Sequence, residues 1–75
     1  MDVWIVLIED RHSDVDALPF SSQERAEAEA RKRAGPDAAA GDLNEAMRRD
    51  GWVLNLPYGA EDDNVRVLRR AVRDA

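Results

Sequence analysis

The side chains able to do chemistry fall into three groups. The first is Glu9-Asp10-Arg11-His12-Ser13-Asp14-Val15-Asp16. Alternating carboxylates at Asp10, Asp14 and Asp16 can gather round a hard cation such as Ca²⁺ or Mg²⁺. An EF-hand loop also needs glycine at its sixth position and glutamate at its twelfth, and this stretch has neither. The expectation is a solvated acidic turn with a lone surface histidine, with Asp10, Asp14 and Asp16 as the cation alternative. No bound metal or cofactor is expected. The second group is Glu61-Asp62-Asp63. Three adjacent carboxylates repel one another and stay in water unless a basic partner neutralises them. They read as a solubilising loop or as an acidic contact patch that steers a basic protein.

The third group is Arg66, Arg69, Arg70 and Arg73, with Arg31-Lys32-Arg33 and Arg48-Arg49 elsewhere. Guanidinium groups hold phosphates through paired hydrogen bonds, so this cluster carries the nucleic-acid alternative. On a strand, Arg66 and Arg70 share one face and Arg69 and Arg73 the other, which divides the charge. The chain carries 16 acidic and 11 basic side chains, and its net charge of -5 opposes long-range attraction to nucleic acid. Nucleic-acid binding is therefore the disfavoured alternative.

Enzymatic chemistry finds little support. There is one histidine and no cysteine, and neither a Gly-x-Ser-x-Gly elbow nor a His-Glu-x-x-His pair occurs. None of the four glycines lies in a phosphate-cradling pattern. A chain of 75 residues makes one small domain, 1–75, with little room for a pocket of ~300 Å³ and its supporting shell.

The elements that must position these groups begin with Val3-Trp4-Ile5-Val6-Leu7-Ile8, a β-branched and aromatic run of strand length. Val3, Ile5 and Leu7 point one way, and Trp4, Val6 and Ile8 the other. Val15 to Phe20, with Pro19 near its end, reads as a short edge strand pairing antiparallel with the first. Ser21 and Glu24 have capping-box spacing, so a helix is expected over Ser22–Ala34, stopped by Gly35-Pro36. Ala26, Ala30 and Ala34 form a narrow stripe for close approach to a sheet. Glu27 with Arg31 and Glu29 with Arg33 are i,i+4 pairs facing water. Asp42-Leu43-Asn44-Glu45 opens a second short helix, ended by Asp50-Gly51, with Leu43, Ala46 and Met47 as its apolar face.

Trp52-Val53-Leu54-Asn55-Leu56 alternates, which places Trp52, Leu54 and Leu56 on one face of a third strand. Pro57 to Asn64 reads as a loop. Val65 to about Arg69 fits a fourth strand, although Val65, Leu68, Ala71 and Val72 also fit an amphipathic helix; Val-Arg-Val is poor helix material. The sum is ββααββ: an α+β fold with a four-stranded antiparallel sheet and helices covering one face.

Such a fold leaves one face of the first strand without cover, and if the helices take the other side, Trp4, Val6 and Ile8 form an exposed apolar patch. The core is thin as well. Twelve residues are alanine, and Leu, Ile, Val and Phe together number 16. A chain this small rarely gains more than ~3–5 kcal/mol from its own core, so a homodimer or a bound protein partner is a natural source of further burial. No apolar run reaches the ~18–20 residues of a membrane span, and no basic region precedes the first one, so neither a membrane nor a secretory signal is expected. A soluble, cytoplasmic protein is the simplest expectation. Ten of the 11 basic residues are arginine, a composition suggesting a GC-rich genome or a salt-adapted host.

The stretch Gly51-Trp52-Val53 through Tyr58-Gly59-x-Glu61-x-Asp63-x-Val65-Arg66-Val67, with the opening Trp4-Ile5-Val6-x-x-Glu9-Asp10-Arg11-His12-Ser13-Asp14, resembles small uncharacterised proteins of bacteriophages and their GC-rich bacterial hosts. The resemblance covers both ends and not the alanine-rich middle, and it carries no catalytic signature. It implies a phage or mobile-element accessory protein of the kind that binds and disables a host protein. The expected function is a non-enzymatic protein-binding module, an inhibitor or regulator. Its contact would use Trp4, Val6, Ile8, Glu61, Asp62 and Asp63.

Overall fold

The structure is a computed structural model that describes residues 1–9, 16–35, 37–58 and 63–72. Six elements follow in chain order: β1 (Asp2–Glu9), β2 (Asp16–Phe20), α1 (Gln23–Ala34), α2 (Glu45–Arg49), β3 (Trp52–Tyr58) and β4 (Asp63–Ala71). The strands form one sheet in the order β2-β1-β4-β3, and every neighbouring pair is antiparallel. The chain is thus an α+β fold with a four-stranded antiparallel sheet. The last segment is a strand, and its length matches β1: eight positions pair, from Asp2 opposite Ala71 to Glu9 opposite Asn64.

α1 starts where Ser22, in an extended conformation, accepts a hydrogen bond from the Arg25 amide at 3.2 Å. The cap is therefore Ser22 rather than Ser21. Both serines precede a helix-forming run, and the one three residues ahead of a free amide in the folded turn takes the role. Gly35 closes the helix, its N–H donating to Arg31 O at 2.9 Å. The alanine stripe does what its spacing implies. Ala26 and Ala30 are fully buried and Ala34 packs beside them. Small side chains let the helix axis lie close to the strands. Glu29 pairs with Arg33 at 3.8 Å, whereas Glu27 accepts from Gln23.

The α2 cap is Asn44, whose Oδ1 accepts from the Met47 amide at 2.8 Å, rather than Asp42. None of the residues of α2 is buried, and among the described elements this helix meets β3 alone. Gly51 follows with φ of 100°, and its carbonyl accepts from the Arg69 amide at 2.7 Å, so this turn is tied to β4.

The core lies between α1 and one face of the sheet. Val6, Leu54, Leu56, Val65 and Val67 meet Ala26 and Ala30 there. Trp4, Ile8, Leu18, Phe20, Val53 and Tyr58 pack round them. Two expectations are corrected by this arrangement. Trp4, Val6 and Ile8 do not form an open patch. They are on the covered face, where Val6 is 0% exposed. Register is the cause: Val6 lies opposite Val67 on one side and Leu18 on the other, and this row is the one α1 closes.

Trp52 does not share a face with Leu54 and Leu56. The β3–β4 register shifts between Trp52 and Leu54, so Trp52 lies opposite Leu68 while Leu54 lies opposite Val67. An extra residue at such a bulge turns the preceding side chain to the other face. The outer side of β3 is met by the connecting segment, where the Gly41 amide donates to Asn55 O at 2.7 Å.

Candidate functional site

The face of the sheet turned away from α1 is built from alternate residues of all four strands. β1 places Val3, Ile5, Leu7 and Glu9 on it. The register carries it outward: Val3 lies opposite Arg70, Ile5 opposite Leu68 and Leu7 opposite Arg66, with Pro19 and Ala17 of β2 on the other flank. Trp52 completes it beside Leu68. No described helix packs on this surface. Val3, Ile5, Leu7 and Trp52 are half-buried, and Leu68, at the centre, is 8% exposed.

Arg66 organises one flank. Its guanidinium pairs with the Glu9 carboxylate, Nη1 to Oε1 at 3.2 Å. The same group lies over the Trp52 ring, 5.4 Å from Cζ to the centroid, within the range of a cation–π contact. Its Nε is buried without a hydrogen-bond partner, as is Oδ1 of Asn55, the residue opposite it on β3. Arg70 reaches over the sheet end and donates from Nη1 to the carbonyls of Asp50 and, at 3.1 Å, Arg69.

The arginine cluster is therefore divided and partly engaged. Arg66 and Arg70 share a face, as expected for a strand, but both serve internal contacts. Arg69 is exposed in the other row, opposite Trp4, and Arg73 lies outside the described residues. Among the described residues Arg66, Arg69 and Arg70 do not converge on one phosphate-sized site.

Of the expected acidic patch, Asp63 is the one residue described, and it is drawn into the sheet. Asp63 is the first residue of β4, opposite Tyr58, and only 9% exposed. The two strands run further than Leu56 and Val65, which draws Asp63 into the ladder. Glu61 and Asp62 lie outside the described residues. Of the cation candidates, Asp10 and Asp14 also lie outside them. Asp16 is in β2 and accepts from the Ala17 amide at 3.0 Å. Among the described residues no group of three His, Asp or Glu side chains could hold a metal ion. A surface depression lined by Gln23, Glu24, Glu27, Ala28 and Arg31 lies on α1, remote from the uncovered face.

Sequence reasoning missed Val3, Ile5, Leu7, Trp52 and Leu68 as a surface. One signal was present. Val65-Arg66-Val67 shows which row of β4 is wet, and whatever pairs beside Arg66 belongs to the outer face. No helix of the described chain is long and apolar enough to cross a membrane. No protein family, curated protein or solved structure matches the chain.

Proposed function

We propose that the protein is a non-enzymatic protein-binding module that docks through the uncovered face of its sheet. The supporting observation is the apolar row formed by Val3, Ile5, Leu7, Leu68 and Trp52, on which no described helix packs. Soluble monomers seldom keep such a contiguous surface without a use. The role of Arg66 fits this reading. Paired with Glu9 and lying over Trp52, it gives the apolar surface a polar, internally neutralised rim. The resemblance to phage-type accessory proteins supplies the class of role: a cytoplasmic regulator or inhibitor that works by occupying a protein surface. Nucleic-acid binding is the poorer reading, because Arg66 and Arg70 are engaged within the chain and the net charge is -5.

The test is affinity capture from the cells that carry the gene, using wild type, Leu7→Arg on the uncovered face and Ala28→Arg on the exposed side of α1. Proteins captured by wild type and by Ala28→Arg, but lost from Leu7→Arg, are the expected outcome. Capture that is indifferent to a folded Leu7→Arg refutes the reading.

A further inference from the structure

We propose that the occupant of the uncovered face is a second copy of the same chain, stacked sheet on sheet about a two-fold axis; this rests on the reading of that face as an interaction surface. Area is the first support. Strands of 8, 5, 7 and 9 residues, at about 3.4 Å per residue and about 4.8 Å apart, give a face of roughly 470 Å². Two such faces bury on the order of 1,000 Å² together, the lower limit of a specific interface. The stacking therefore uses the whole face and is expected to be reversible.

Charge is the second support. Among the described residues the face carries one acid, Glu9, and two arginines, Arg66 and Arg70. It is close to neutral on a chain of net charge -5. Glu9 and Arg66 neutralise each other, and Arg70 is hydrogen-bonded to backbone carbonyls. A strongly acidic or basic partner finds little opposite charge here, whereas an identical face meets apolar surface with apolar surface.

The distribution along the strands is the third support. Ile5 and Leu68 lie opposite each other near the middle, Glu9 and Arg66 toward one end, and Val3 and Arg70 toward the other. A two-fold axis lying between the sheets and crossing the strands at Ile5 and Leu68 places this centre on its own copy. It also brings the Glu9 end of each chain over the Arg70 end of the other. Such self-complementarity is what an isologous contact requires. Two sheets stacked in this way pack about 10 Å apart with strands nearly aligned.

The experiment is sedimentation equilibrium from ~1 µM to ~1 mM, a span suited to an interface at the lower size limit, in low and high salt. The mass is expected to rise from 8.4 kDa toward twice that value. High salt strengthens the pairing, because it screens the repulsion of two chains of charge -5. Ile5→Glu is expected to raise the dissociation constant at least ~10-fold, since it buries a carboxylate with no partner. Val3→Glu, at the end of the sheet, provides a second variant should Ile5→Glu fail to fold by circular dichroism.

A mass that stays at 8.4 kDa throughout overturns the proposal. So does a dimer that persists in both folded variants. A monomer whose Leu7→Arg variant loses a captured protein also overturns self-pairing, while leaving the interaction-surface reading intact.

Discussion

Alanine at Val6 and alanine at Ile5, made separately, distinguish the two faces of β1 by free energy. The residues are adjacent in sequence, and Ile5 loses one more carbon than Val6. Val6 is 0% exposed beneath α1, with Val67 and Leu18 beside it. Removing its two methyl groups forfeits about 1.6 kcal/mol of transfer energy at ~0.8 kcal/mol per carbon. The cavity left under a helix that cannot collapse further raises this to about 2–3 kcal/mol.

Ile5 loses three carbons, but from a face no described helix covers, and the expected cost is about 1–1.5 kcal/mol. The smaller truncation is thus the more damaging one. The assay is urea denaturation followed by far-ultraviolet circular dichroism, with the protein held at ~1 µM so that self-association contributes nothing. With an m-value near ~1 kcal/mol per molar for a chain this short, the midpoint falls by ~2 M or more for Val6→Ala and by ~1 M for Ile5→Ala. An equal or larger loss for Ile5→Ala at unchanged m would refute the assignment of faces. Repeating the measurement at high concentration should enlarge the Ile5→Ala penalty alone, because any dimer binds the folded state only.

Three further outcomes are expected. Gly51→Ala should cost about 2–4 kcal/mol in the same urea assay, because φ is 100° and a β-carbon would sit 2.5 Å from Arg69 O, displacing the Arg69 N–H to Gly51 O bond. Ser22→Ala should cost about 1 kcal/mol by thermal or urea melting while Ser21→Ala costs only a few tenths, since Ser22 alone caps α1. Arg66→Met keeps the apolar stem and should cost no more than about 1 kcal/mol at low salt, with the difference from wild type shrinking in 1 M salt as the half-exposed pair with Glu9 is screened.

The order of elements was legible because each depends on near neighbours in sequence. The run Val3–Ile8, the serines before α1, Gly35 and the Asp50-Gly51 turn all carry their information within a few residues. Which face α1 covers was not, because it depends on pairing between β1 and β4, some sixty positions apart. Sliding that pairing by one residue would exchange Val6 for Ile5 in the core. The bulge at β3 escaped for a related reason. Trp52-Val53-Leu54-Asn55-Leu56 alternates cleanly as text, and only the lock between the Gly51 carbonyl and the Arg69 amide shows that one residue must be taken up. Asp63 misled because a run of three acids reads as water-loving, yet its position opposite Tyr58 makes it a ladder residue. The same holds for the proposed contact surface: that both sides of β1 are apolar was readable, and which of them α1 covers was not.

Both lateral rims of the sheet are interrupted. β2 offers Pro19, which has no N–H, and β3 offers Pro57 in the same condition, while the Asn55 carbonyl is already taken by Gly41. A foreign strand seeking to lengthen this sheet would find broken docking points along either border. Growth by endless strand addition, the route to fibres, is thereby blunted, and the contact proposed above, through the broad flat side of the sheet, makes assemblies that terminate.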